Sequence, residues 1–177
     1  MGYLINMNMS KTKKMVVLAV FSSQAIVLSI IENWIPMPST FPGVKLGLAN
    51  IMVIVTIVFF GFKDALILVA IRTVISSLLM GGVTVFLFSI SGGILSTVVM
   101  SFLYHKYENL FSIIGISIAG AVMHNIGQLL MASFMMKDLS VMNYLPILMI
   151  SAVVTGCFVG LCSNYLINAL NKSKIFM

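Results

Sequence analysis

Most of this sequence consists of apolar runs that are nearly as long as a membrane-spanning helix and are separated by short polar breaks. A helix that crosses the hydrocarbon core of a bilayer needs about 20 apolar residues. We predict six spans, over about Met15–Ile35, Leu46–Phe60, Ala65–Met80, Val83–Tyr104, Phe111–Met136 and Leu145–Leu170. The expected fold class is therefore all-α, a polytopic membrane protein. Its transmembrane domain would cover 15–170, between tails at 1–14 and 171–177.

Composition excludes an ordinary soluble domain. Hydrophobic residues make up 60% of the chain and charged residues only 8%, whereas soluble domains carry about 25% charged residues. So few charges cannot cover a surface that faces water.

The second and third predicted spans are shorter than the others. A break at Gly61-Phe62-Lys63-Asp64 joins them, and Asp64 is expected to cap the start of the third helix. Both segments could be tilted crossings, or re-entrant segments that other parts of the protein shield from lipid.

The distribution of lysines predicts the orientation. Cytoplasmic loops of membrane proteins carry an excess of cations. With the N-terminus inside, seven lysines lie on the cytoplasmic side, and only Lys45 and Lys137 lie outside. The seven are Lys11, Lys13, Lys14, Lys63, Lys106, Lys172 and Lys174. We therefore expect both termini in the cytoplasm, a location in the cell membrane, and lipid rather than nucleic acid as the partner of the basic residues.

The start of the chain also resembles a secretory signal peptide, because Lys11–Lys14 precede an apolar stretch. No clear cleavage site with small residues precedes Glu32, and further spans follow. We expect this stretch to remain as the first span.

Arg72 is the polar residue that needs most explanation. It lies eight residues after Asp64, which is about 12 Å along a helix. A central Arg costs at least about 2.5–3.5 kcal/mol to insert, so it should face protein or a water-filled cavity. We find no carboxylate at a matching depth, and Glu32 is the nearest candidate. Arg72 could bind an anionic ligand, or it could be a structural group that bonds to backbone carbonyls or to Glu32.

A polar stripe is predicted on the fifth span. His124 and Gln128 are four residues apart, and Asn125 and Gln128 are three apart, so all three belong near one helix face. Such groups join helices through hydrogen bonds, or they line a cavity. Asn50, Ser89 and the rim residue Lys45 are expected at a similar depth. Together with Arg72 these residues could form an externally accessible pocket for a small anionic molecule.

Small residues on the first and sixth spans predict close helix contacts. Ala19-x-x-x-Ser23, with Ser22 alongside, and Gly156-x-x-x-Gly160 have the spacing that lets another helix approach. Each could serve internal packing or the docking of a partner protein.

Several kinds of chemistry find no support in the sequence. Cys157 and Cys162 have no His or Cys cluster near them and are expected to be packing residues. His124 has no second ligand nearby, so no metal site is expected. We predict no cofactor and no catalytic residue in this chain, which also lacks a phosphate-binding Gly-x-x-x-x-Gly-Lys-[Ser/Thr] loop.

Four stretches carry a resemblance to a known family. They are Pro42 to Asn50, Arg72 with Ser76-Ser77-Leu78-Leu79 and Gly81-Gly82, Ser91-Gly92-Gly93, and Gly120-Ala121-x-x-His124-Asn125-x-Gly127-Gln128. Over about residues 10–170 the chain resembles the Gx transporters, a family also named heptaprenyl diphosphate synthase component I.

The first of these names implies a role in uptake. The family is similar in size and topology to the S components of energy-coupling-factor transporters, in which six helices bind a vitamin or precursor near the outer face. The resemblance implies that a small-residue motif, here Ala19-x-x-x-Ser23, docks on a transmembrane coupling protein that two ATPases drive. The first outer loop, about Asn33–Lys45, would close over the substrate.

The second name implies a role in prenyl transfer. Helical prenyl synthases hold magnesium and diphosphate on aspartate-rich motifs, because a hard cation needs several carboxylate oxygens. This chain has two aspartates, Asp64 and Asp138, which we predict on opposite sides of the membrane. The chain could then be only a non-catalytic partner of a prenyl diphosphate synthase. A third interpretation is a membrane scaffold in which the polar cluster merely joins helices.

Overall fold

In a computed structural model, the chain forms six α-helices and one short 3₁₀ helix, over the described residues 10–34, 47–80, 82–107 and 110–173. The side chains of Asn33 and Met80 are outside the description. The α-helices are α1 (Lys11–Trp34), α2 (Asn50–Phe60), α3 (Phe62–Met80), α4 (Gly82–Lys106), α5 (Ile113–Met136) and α6 (Leu145–Lys172). The 3₁₀ helix, Leu139–Tyr144, connects α5 to α6. The described part of the chain contains no strand, and the prediction of an all-α fold is confirmed.

Local capping explains where several helices begin. Ser10 accepts a hydrogen bond from the Lys13 N–H at 3.3 Å, so α1 starts at the basic residues that precede the apolar run. Ser112 accepts one from the Gly115 N–H at the start of α5. Pro146 occupies the first turn of α6, where its missing N–H costs no hydrogen bond.

The expectation that Asp64 caps α3 is wrong. Gly61, at φ +88°, ends α2, and α3 begins at Phe62, so Asp64 already lies in the first turn of α3. Only glycine adopts such a φ without strain, and the turn is therefore tighter than the sequence suggested. The Asp64 carboxylate instead pairs with the Lys14 Nζ of α1 at 2.7 Å.

Helix α2 forms the centre of the bundle. Every residue from Asn50 to Phe59 is buried, because α1, α3, α4 and α6 all pack against it. A helix that is apolar on all sides requires this kind of enclosure. Its 11 residues rise only about 16 Å, which is about half of a hydrocarbon core. By itself, this segment is too short to cross a membrane.

Within the described residues, four helical segments are long and apolar enough to cross a membrane: Lys11–Glu32, Gly82–Lys106, Ile113–Met136 and Leu139–Lys172. Their outward surfaces are strongly apolar. Val83, Phe134 and Tyr165, for example, are 75%, 80% and 75% exposed. Water would not stabilise such a surface, whereas lipid would. The chain is therefore a membrane protein.

Two glycines bring α5 and α6 into direct contact. A Cβ on Gly156 would lie 2.7 Å from Ile118 Cα, and one on Gly160 would lie 2.7 Å from Ile114 Cα. The Gly156-x-x-x-Gly160 motif thus lets the backbone of α6 rest on that of α5. Of its two expected uses, the structure assigns it to internal packing.

Candidate functional site

A cavity of about 270 Å³ lies between α1, α2, α3, α4 and α5. Most of the residues that line it are polar, although the surrounding bundle is apolar. The lining residues are Ser29, Glu32, Gly47, Asn50, Arg72, Thr73, Ser76, Val85, Ser89, His124 and Gln128. Five of the residues expected to bind substrate are among them: Asn50, Arg72, Ser89, His124 and Gln128.

Arg72 is the buried cation of this cavity. It is 7% exposed, and its Nη2 donates to Asn50 Oδ1, the side chain of the first residue of α2, at 3.2 Å. A guanidinium has five N–H donors, and the Nε of Arg72 has no hydrogen-bond partner among the described residues. Thr73 Oγ1, also buried and also lining the cavity, has none there either. Buried polar groups that lack partners are costly, so this wall has unused capacity for a bound molecule.

Glu32, the nearest carboxylate that the sequence offered, does interact electrostatically with Arg72. It lies near the end of α1 and lines the same cavity. The Glu32 carboxylate accepts a hydrogen bond from the Gly47 N–H. The Gly47 carbonyl in turn accepts one from the Asn50 N–H at 2.8 Å. Glu32 thereby fixes the turn that places Asn50 beside Arg72.

Close contact between α4 and α5 brings His124 and Gln128 to the cavity. A Cβ on Gly92 would lie 2.7 Å from the carbonyl oxygen of His124, and one on Gly127 would lie 2.9 Å from Gly92 Cα. The Ser91 hydroxyl donates to the Gly127 carbonyl at 3.1 Å across the same contact. These glycines therefore set the distance between α4 and α5, which form two walls of the cavity.

Asn125 requires a correction, because it does not line this cavity. Its Nδ2 donates to the Leu148 carbonyl at 2.9 Å and so joins α5 to α6. Successive helix residues point about 100° apart, so Asn125 faces α6 while His124 faces the cavity. The expected polar stripe thus divides into a cavity-lining pair and a structural residue.

Lys45 and nearly all of the loop Asn33–Lys45, which was expected to cover the substrate, lie outside the described residues. Conversely, four lining residues were not expected in a binding site: Ser29, Thr73, Ser76 and Val85. Thr73 and Ser76 lie one and four residues after Arg72, and placing them in the wall of a cavity requires knowledge of which helices pack against α3.

The small residues of α1 fall on two faces. Ala19 and Ser23 are exposed, whereas Ser22 is buried. All three line a second, shallow groove between α1 and α3, which has Lys11, Lys14 and Asp64 at one end. Unlike Gly156 and Gly160, Ala19 and Ser23 leave open space for another helix.

The lining of the cavity can hold a small molecule through several kinds of polar group. The described residues include no group of three or more His, Cys, Asp or Glu side chains that could hold a metal ion. The cavity offers amides, hydroxyls, one imidazole and two opposite charges, which are groups that orient a small polar molecule.

Comparison with known proteins gives one match. A family model described as heptaprenyl diphosphate synthase component I matches residues 21–166. The searches of curated proteins and of solved structures found no match. The matched range contains all six α-helices in whole or in part, together with every described residue of the cavity lining. The chain belongs to the heptaprenyl diphosphate synthase component I family.

Proposed function

We propose that this chain is a substrate-binding membrane subunit for the uptake of a small polar molecule, energised by separate ATPase subunits. The observation that carries the proposal is the polar cavity around buried Arg72. In a bundle whose outer surface is apolar, so many polar side chains around one empty space are best explained by a ligand. Arg72 would bind an anionic or hydrogen-bond-accepting group, while Asn50, His124 and Gln128 would orient the rest.

The proposed orientation has both termini in the cytoplasm and six crossings of the cell membrane. Helix α2, too short to cross alone, passes through as part of the bundle that encloses it. The cavity residues lie toward the end of α1, the beginning of α2 and the beginning of α4. The basic residues Lys11, Lys14 and Lys106 lie at the opposite ends of α1 and α4. If the basic end is cytoplasmic, the cavity lies nearer the outer face, as uptake requires.

The open groove between α1 and α3 supports a docking role for Ala19 and Ser23. We propose a transmembrane coupling protein as its occupant, because exposed small residues let a partner helix approach closely. The sequence contains no phosphate-binding loop for ATP, so a coupling protein with ATPases would have to supply the energy.

Affinity purification of an Ala19→Phe variant should recover about tenfold less coupling protein and ATPase than purification of the natural chain. Overpacking a helix contact costs about 1–3 kcal/mol, and about 1.4 kcal/mol corresponds to a tenfold change in affinity. The matched control is Val20→Phe, on the adjacent residue, which is 47% exposed and does not line the groove. Equal recovery of partners with both variants would contradict docking at this groove.

A second candidate is a non-catalytic membrane component of heptaprenyl diphosphate synthesis, which the family description favours. The two aspartates of this chain, Asp64 and Asp138, are too few for the aspartate-rich motifs that hold magnesium and diphosphate. In this role the chain would therefore contact a soluble prenyl diphosphate synthase, or at most the diphosphate group of its product.

Purification from the native membrane in mild detergent, followed by mass spectrometry of all recovered proteins, separates the two functions. Recovery of a coupling protein with ATPases supports the uptake proposal. Recovery of a prenyl diphosphate synthase without ATPases contradicts it and supports the accessory role.

A further inference from the structure

The charge balance of the cavity restricts what it can bind. Among the described residues that line it, two carry full charges at neutral pH, Arg72 from α3 and Glu32 from α1. The charges have opposite sign and stand on different walls. With His124 neutral, the described lining therefore has a net charge of zero.

A low-dielectric site strongly disfavours unbalanced charge. Bringing an ion out of water costs several kcal/mol unless opposite charges and hydrogen bonds compensate for it. A bound monoanion would satisfy Arg72 but would leave the described lining with one net negative charge. A diphosphate would leave several.

Hydrogen-bond donors and acceptors also lie on different walls of the cavity, those formed by α3 and α1. The α3 wall presents Arg72, which can only donate, and its Nε lacks a described partner. The α1 wall presents the Glu32 carboxylate, which can only accept when ionised. A ligand that satisfies both walls needs an acceptor group at one end and a donor group at the other.

We propose that the cavity selects a small molecule of zero net charge, a zwitterion or a neutral polar compound, with an acceptor group toward Arg72 and a donor group toward Glu32. This inference rests on the proposed function and narrows it. It replaces the anionic substrate that the sequence suggested, and it excludes diphosphates from the cavity.

The test uses the purified full-length chain and a small-molecule extract of its host cells. Passage over anion and cation exchangers at neutral pH divides the extract into a net-neutral flow-through, an anionic fraction and a cationic fraction. We expect the flow-through alone to raise the melting temperature, by roughly 5 °C at saturation. A Glu32→Gln variant should lose this shift and be stabilised by the anionic fraction instead. An Asp64→Asn control, which removes a carboxylate outside the cavity, should behave like the natural chain.

Each outcome is decisive. Stabilisation of the natural chain by the anionic or the cationic fraction overturns the inference but leaves the cavity as a binding site. Stabilisation by no fraction overturns both the inference and the proposed function. The fraction that stabilises the natural chain tests the inference even if the Glu32→Gln variant fails to fold. If Glu32→Gln folds and still prefers the flow-through, Glu32 does not select the ligand, and the inference fails.

Discussion

A Gly127→Ala variant should melt at a markedly lower temperature than the natural chain, although alanine normally stabilises a helix. The added methyl group would lie 2.9 Å from both Gly92 Cα and the Ser91 carbonyl oxygen. Both are backbone atoms of α4, so no side-chain rotation can relieve the clash. Overpacking typically costs about 1–3 kcal/mol, which exceeds the gain of about 1 kcal/mol in helix propensity.

The same substitution should also weaken ligand binding. Separating α4 from α5 would lengthen the hydrogen bond between Ser91 and the Gly127 carbonyl and move His124 and Gln128 away from Arg72. Melting can be followed with a thiol-reactive fluorophore, because the free Cys157 and Cys162 are both partly buried in α6.

Gly115→Ala is the matched control on the same helix. There the nearest atoms to an added Cβ are Phe111 Cδ1 at 3.5 Å and Ser112 Oγ at 3.8 Å, which are ordinary contacts. This variant should melt at or slightly above the temperature of the natural chain. If Gly127→Ala and Gly115→Ala melted alike, the close approach of α4 and α5 at Gly127 would be wrong.

Replacing Arg72 with Gln should abolish measurable ligand binding while the protein remains folded. Hydrogen bonds to a charged group contribute about 1.5–3 kcal/mol each, so the loss of even one lowers affinity roughly 10- to 100-fold. Folding should survive with some loss of stability, because removing a charge that costs at least about 2.5–3.5 kcal/mol to insert offsets part of the cost of leaving Glu32 without its opposite charge. The shorter amide also leaves Asn50 a polar neighbour.

The measurement is the rise in melting temperature produced by unfractionated small-molecule extract. Arg72→Gln should show no rise, and Arg72→Lys should show a partial one, because Lys keeps the charge but not the guanidinium geometry. An undiminished rise in Arg72→Gln would place the ligand elsewhere and contradict the proposed function. A large loss of stability without extract would instead support the scaffold interpretation, in which Arg72 only joins helices.

The sequence predicted the helices well because hydrophobic run length is a strong signal in membrane proteins. Every expected span has a matching helix, with ends displaced by at most a few residues. The helices of the second and third spans meet at Gly61, where a positive φ allowed a tighter turn than expected. The sequence did not reveal that α2 would be enclosed on all sides, since a run of apolar residues looks the same whether lipid or protein surrounds it.

Sequence reasoning could select only some residues of the candidate site. Arg72 and His124 were identifiable because polar groups are rare in apolar runs. Glu32 was named as the nearest carboxylate, but its association with Arg72 stayed one of two alternatives, since it depends on a turn at Gly47 and on the packing of α1 against α3. The different direction of Asn125 likewise depends on where α6 lies. Pairing between distant segments is a property of the packed bundle.

The enclosure of α2 has a consequence for how the protein is made. Chains are synthesised from the N-terminus, so α1, α2 and α3 reach the membrane before α4 and α6, which complete the wall around α2. Because α2 is only about 16 Å long, it cannot hold a transmembrane position alone. Until α4 and α6 are inserted, only α1 and α3 can hold it in place. Its surface toward α6 stays uncovered until the last helix has been inserted. A chain truncated before Leu145 would therefore expose the centre of the bundle permanently, and membrane quality control could recognise that surface as the mark of an unfinished protein.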